Sequence, residues 1–412
     1  GVRIAAAPGG ATSATNITIR GVNSITGRNQ PLIILDGVPI RDGEVKNNNY
    51  WNDQRQRGNG LGEINPEDIE SISILKGASA AALYGSEAVN GVVLITTKSG
   101  TKNKKGFNVD FNANTSIDRV AYLPRYQNIR GPGAPIHVNN GGQDQEGFIY
   151  YDTDGDGVRE TRGVLGFSIN FGPKFDGKPT MAWDGVIRPY EAQVGNWNSL
   201  FQDAHNSQVN VAVSKSTDNS NTRLSITRQD NEGVSLNSKN SRNIANFNTT
   251  YRFSKKFRTD LMVNYVNQTT NNRPYSIDRM MNNFTGMMGR FEHGDWYLNK
   301  AQTSQGYRFV TGASGQSLTP NENIIRNGFK GDLADYVWRV QRHQSSERSN
   351  RVISSLTNFY QILPELSLRA RISTDFTSLN SEDRQATERP LAFGNSGYFG
   401  MSNELFSIVY GD

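Results

Sequence analysis

"INPEDIESISILKGASAAALYGSEAVNGVVLITTKSG", running from Ile64 to Gly100, is apolar and regular, yet it holds no histidine, no cysteine and no catalytic pair. Asn65 has the side chain to cap a helical turn, with Pro66 in its first position and Glu67 and Asp68 at its positive end. "IESISILKG" puts Ile69, Ser71, Ser73 and Leu75 on one face and Glu70, Ile72, Ile74 and Lys76 on the other, a strand whose faces are not cleanly sorted. "ASAAALYG" is short, Ala-rich and stopped by Gly85, which predicts a helix with a glycine C-cap. "GVVLITTK" is continuously apolar, the pattern of a strand buried on both faces. Upstream, "TNITIRGV" alternates from Thr15, and "PLIILDGVPI" gives a buried strand followed by a turn. Residues 1–105 therefore predict a compact α+β domain, its end marked by the basic cluster "KSGTKNKK" at Lys98 to Lys105.

From Gly106 the rhythm changes to a period of two. Phe107, Val109, Phe111, Ala113 and Ile117 alternate with Asn108, Asp110, Asn112, Asn114 and Asp118. The period recurs at Val209 to Val213, at Leu224 and Ile226, at Ala245 to Phe253, at Phe257 to Tyr265 and at Leu366 to Phe376. One face is apolar and aromatic near the ends, and the other is polar or charged. Long and short connections alternate: roughly 120–207 is long, "STDNSN" short, "NEGVSLNSKN" medium, "SKK" short, about 270–349 long and "PE" short. Tight turns at one end and long loops at the other are the asymmetry of an outer-membrane β-barrel. A soluble sandwich also alternates but has no reason to put every long loop at one end. About eight strands fit into residues 106–412, too few to close around a domain of about 100 residues. The competing reading is a secreted or surface β-rich glycan-binding module or adhesin.

Composition fits a turn-rich β protein and narrows the chemistry. Of 412 residues only 35% are hydrophobic, mean hydropathy is −0.61, and Gly and Tyr number 41 and 16. No run of about 18 apolar residues is present, which argues against a membrane-spanning helix but not against a barrel. The absence of cysteine removes disulfides, zinc-thiolate sites and thiol catalysis. Forty-four basic and 39 acidic residues are scattered rather than gathered on one face, against a nucleic-acid partner. His137, His205, His293 and His343 are isolated, and Ser86 in "YGSEA" lacks the second glycine of a nucleophile elbow, so no enzyme activity is expected.

"NITIRGVNSI", "QPLIILDGVPI" and above all the opening stretch resemble the plug domain of SusC/RagA-like TonB-dependent outer-membrane transporters, found in Bacteroidota. The runs that carry the likeness are Asp68–Ile69–Glu70–Ser71, Leu75–Lys76–Gly77–Ala78–Ser79, Ala82–Leu83–Tyr84–Gly85–Ser86 and Asn90–Gly91–Val92–Val93. They lie in about 100 nearly gapless residues, whereas residues 106–412 agree only in strand and loop rhythm. The resemblance implies an α+β plug followed by an antiparallel transmembrane β-barrel, 22-stranded in the family, of which this chain would hold about the first eight strands. It further implies TonB-dependent import of an oligosaccharide or oligopeptide, a SusD-like surface lipoprotein as lid, and a TonB contact upstream of Gly1.

Candidate site residues follow from chemistry. "YDTDGDGVRE" places Asp152, Asp154 and Asp156 at positions one, three and five of a calcium loop and Gly157 at six. The position of the bidentate Glu is Gly163, leaving Glu160 as a further oxygen; the alternative is a plain Asp-Gly turn. Trp183, Tyr190, Trp197, Trp296, Tyr297 and Trp338 in the long loops, and Tyr50 and Trp51 in "NNNYWNDQ", are the aromatic rings on which sugar or peptide cargo would stack, or else interface girdles and loop packing. Arg20, Asp36, Arg41 and Lys76 are candidates for polar contacts between plug and barrel wall.

Overall fold

The computed structural model describes residues 2–6, 15–19, 21, 29–40, 61–76, 82, 84–100, 106–123, 125–131, 159–160, 172–182, 184, 186–274, 288–309, 331–388 and 397–412. The chain opens with a hairpin of β1 (Val2–Ala6) and β2 (Thr15–Ile19). A four-stranded sheet follows, made of β3 (Leu32–Leu35), β4 (Val38–Ile40), β5 (Ile69–Leu75) and β6 (Val92–Thr97) in the order β4-β3-β6-β5. The run "VVLITT" is central in it, parallel to β3 and antiparallel to β5, and this is why it tolerates no polar alternation. Before β5, a single 3-10 turn at Pro66–Asp68 is capped by Asn65, whose Oδ1 accepts from the Glu67 amide at 3.2 Å. In the Ala-rich segment the described residues Ala82 and Tyr84 are helical, Gly85 follows at φ +70° as a glycine C-cap does, and a 3-10 turn then occupies Gly85–Ala88.

Eight antiparallel strands form the second layer: β7 (Gly106–Asp118), then, beyond a small sheet of β8 (Arg159–Glu160), β9 (Pro179–Met181) and β10 (Ile187–Pro189), the strands β11 (Ala204–Ser216), β12 (Ser220–Glu232), β13 (Lys239–Arg252), β14 (Phe257–Asn271), β15 (Gln344–Leu363), β16 (Leu366–Gln385) and β17 (Tyr398–Gly411). They pair in that order, β7 to β11 through β17, as one open, unclosed wall. Each has 13 to 20 residues, more than the roughly 9–11 a tilted strand needs to cross a bilayer core. Val211, Ile226, Ile372 and Phe376 point outward and are 39%, 57%, 57% and 39% exposed. At the tight-turn end Tyr251, Phe253, Phe257 and Tyr360 form a chain of ring contacts 4.7 to 6.4 Å apart.

The long connections gather at the opposite end into a lobe with its own core. It holds α1 (Gly294–Asn299), α2 (Gly331–Arg342) and the 3-10 turn Asn198–Leu200. Trp197, Leu200, Tyr297, Leu333 and Val337 pack together there, each 2% exposed or less.

Candidate functional site: the seam between plug and wall

The inner face of the wall is as buried as its outer face is bare, and it is polar. One row across it reads Ala212, Ser225, Asn246, Asn264, Ile353 and Asp375, each opposite the next in register. The plug sheet covers this face. Met262 and Ile353 of the wall join Ile33, Val38, Ile40 and Ile95 of the plug in one apolar cluster. Around that small cluster the contacts are ionic or hydrogen-bonded.

Among the described residues, three wall arginines hydrogen-bond to the plug. Arg223 on β12 donates to Asp68 Oδ1 at 2.6 Å across 155 residues of chain, and the two side chains are 5% and 2% exposed. Arg351 on β15 grips Asp375 on β16 with Nε at 2.8 Å and Nη2 at 2.6 Å, and gives Nη1 to Glu63 of the plug at 2.7 Å. Arg242 on β13 donates to the Gly62 carbonyl, to Gln268 Oε1 at 3.2 Å and to Gln229 Oε1 at 3.3 Å. Ion pairs so deeply buried hold position rather than add large net stability, because desolvation offsets their attraction. Breaking one from one side, by contrast, strands a charge.

The cap residue takes part in the same network. Asn65 Nδ2 donates to Asp68 Oδ2 at 3.0 Å and to Thr227 Oγ1 of the wall at 2.8 Å, while Thr227 also accepts from Asn210 at 2.7 Å. A second relay runs through Asp36, which sits in the β3–β4 turn at φ +47°. Its carboxylate accepts from the Thr97 amide at 2.9 Å and from Thr97 Oγ1 at 2.5 Å, and Thr97 Oγ1 accepts from wall Asn248 at 2.7 Å. Burial pushes the Asp36 carboxyl above its ordinary value, the two Thr97 bonds pull it back, and Glu70 adds a smaller upward push. Gly37, next in the turn at φ +84°, lies against wall Arg371, whose guanidinium occupies the space a Cβ would need.

Of the sequence candidates for this seam, Asp36 reaches the wall through Thr97, and Lys76 follows β5; Arg20 and Arg41 lie outside the described residues. The residues that do the holding, Glu63, Asp68, Arg223, Arg242 and Arg351, were not singled out for it. Their one sequence signal is parity: each arginine sits on the polar face of an alternating strand, in step with Ser225, Asn246 or Ile353.

The loop aromatics are placed elsewhere. Trp197 and Tyr297, 2% and 1% exposed, belong to the lobe's core, and Trp338 on α2 is fully buried, so none of these rings leaves a face for cargo. Trp296 is partly buried, edge-on to Phe291 at 5.8 Å with the Arg188 guanidinium 3.8 Å from its ring centre, and Tyr190 lies between Phe175 and Phe291. Tyr50, Trp51, Trp183, Asp152, Asp154 and Asp156 lie outside the described residues, and Glu160 sits in β8 beside β9. Among the described residues no three carboxylate or imidazole groups converge as metal ligands would.

Comparison with known proteins agrees with this geometry. Residues 1–92 match the family model of the TonB-dependent receptor plug domain. Over 132 residues the chain is 39% identical to the TonB-dependent receptor SusC of Bacteroides thetaiotaomicron, and over 126 residues 41% identical to the TonB-dependent receptor P26 of Formosa agariphila. These matches cover 32% and 30% of this chain but only 12% and 11% of the relatives. The RagAB peptide importer in its open-open state overlays 99% of this chain and 41% of its own at TM-score 0.60, with 17% identity, a likeness of fold. Residues 1–92 match the TonB-dependent receptor plug domain and resemble SusC, and the strands that follow have the fold of an unclosed part of the antiparallel barrel of such receptors.

Proposed function

We propose that the chain forms the gate, and the wall the gate leans on, of an outer-membrane transporter that imports an oligomeric nutrient, an oligosaccharide or oligopeptide, with energy delivered through TonB. The observation that carries this reading is the seam. A domain bonded covalently to the wall only at its end is seated by Asp68–Arg223 and Glu63–Arg351 inside a polar face, while the opposite face of the same strands is apolar. A free-standing glycan-binding module has no use for an exposed apolar band rimmed by aromatic rings, which suits lipid. The SusD-like lipoprotein lid belongs to the same proposal and rests on the likeness to SusC and RagAB.

Transport in this scheme needs the plug to move. External cargo shifts the plug's contacts, force from the periplasmic side breaks the seam, and the wall stays rigid. A cysteine pair at Asn65→Cys and Thr227→Cys, whose native side chains are 2.8 Å apart, would lock plug to wall. Uptake in the oxidised pair should be lost and return on reduction, while cargo still binds from outside. Undiminished uptake with the cross-link formed would overturn the reading.

A further inference from the structure

We propose that Arg223, Arg242 and Arg351 are a cationic track on the inner wall that takes over an anionic oligomer as the plug withdraws; this rests on the gate reading above. In the seated state the charges balance: three wall arginines and Asp375 face Asp68 and Glu63 of the plug. Both plug carboxylates leave with the plug, and these wall groups are then three cations and one anion.

Among the described residues, two of the arginines have only neutral atoms on the wall to fall back on. Arg223 pairs with Asp68, and Arg242, 7% exposed, is held by two glutamine oxygens and a plug carbonyl. Stranding such guanidiniums is costly unless another anion replaces the lost oxygen. A cargo carboxylate or sulfate does so, and a guanidinium can bind it through two nitrogens at once. Opening is thereby coupled to cargo of the right sign.

The spacing suits a linear chain. Carried across the strand register, Arg223 stands opposite Asn248 of β13, Arg351 lies level with Ile244, and Arg242 is itself on β13. The three therefore climb six residues of strand, roughly 20 Å at about 3.3 Å per residue. A single small anion would meet one of them; an oligomer with repeated carboxylates or sulfates meets all three in turn.

The test uses the full-length transporter in planar bilayers, with the plug unseated by urea and a salt gradient across the membrane. The expected result is an anion-selective pore whose reversal potential shifts toward zero in Arg223→Gln/Arg242→Gln. Arg223→Lys/Arg242→Lys should keep the selectivity, as should Arg228→Gln, a change on the outward face. If the double variant fails to insert, Arg242→Gln alone should show a smaller shift of the same sign. Oligogalacturonate and oligoglutamate added as blockers distinguish a saccharide from a peptide source of the anion, and block by either, weakened in the Gln variants, supports the track. A pore that is cation-selective, or whose selectivity ignores these substitutions, overturns the track and leaves the gate reading intact. No urea-dependent conductance at all overturns the gate reading, and the track with it.

Discussion

The seam and the loop lobe are both buried, and they are built from opposite materials. The lobe is closed by Trp197, Leu200, Tyr297 and Leu333, rings and branched chains whose contacts are individually weak and collectively hard to undo. The seam is closed by Asp68–Arg223, Glu63–Arg351 and the Asn65–Thr227 bond, few contacts that are directional and replaceable by water or another ligand. A surface meant to stay shut gains from apolar packing. A surface meant to part gains from pairs whose net stabilisation is small but whose register is strict.

That contrast is open to attack from both sides. The largest effect belongs to the lobe: Trp338→Ala should cost about 3–5 kcal/mol of its local stability, the usual loss for a buried large ring. It should appear as faster proteolysis within the 272–343 connection, with plug seating unchanged. Next comes Asp68→Asn, which leaves Arg223 a neutral acceptor and should cost about 1.5–3 kcal/mol of seating, the range for hydrogen bonds to charged groups. The urea concentration that unseats the plug should fall while the lobe's proteolysis pattern stays put. A variant that weakens both regions together would show that lobe and seam are one cooperative unit.

A smaller effect separates shape from charge within the seam. Gly37→Ala puts a methyl where the Arg371 guanidinium lies and forces an L-residue to φ +84°. The backbone part alone is about 1–2 kcal/mol, and the arginine tip can swing aside. Seating should weaken accordingly with no change in salt dependence, whereas Asp68→Asn should reduce it.

The two regions also differ in how far they could be read from residues alone. The turn at Asn65 and the strands "IESISIL" and "VVLITT" were legible because their signals are local: a cap, a period and an apolar run. The wall strands were legible for the same reason, and parity placed Arg223 and Arg242 on the polar face. What parity cannot supply is a partner 155 or 288 residues away, so the seam pairs stayed hidden until the chain was folded. The lobe stayed open between cargo stacking and loop packing for a different reason. Loop tryptophans look like stacking platforms when their own neighbours are taken for loop. Leu333, Ala334 and Val337 sit at helical spacing on α2, and that spacing was the missed sign that Trp197 and Tyr297 had partners of their own.

The smallest effect is a pH dependence that only the seam should show. Asp36 is half-buried, and its carboxyl in the folded plug stands above its ordinary value of 3.8 despite two bonds from Thr97. Between that value and the raised one, the folded plug holds a proton that the unfolded chain has released. Stability conferred by that proton is therefore present below the window and lost as pH rises through it, with no further change above. Asp36→Asn keeps an acceptor for Thr97 and tolerates the left-handed turn, but cannot ionise. Unfolding of the plug followed by urea titration should find wild type losing ground to the variant as pH rises through this window, the two curves running parallel at neutral pH. If instead wild type gains on the variant over that range, the Thr97 bonds outweigh burial. Asp36 would then count with Asp68 as a charge the seam is built to hold rather than one it merely tolerates.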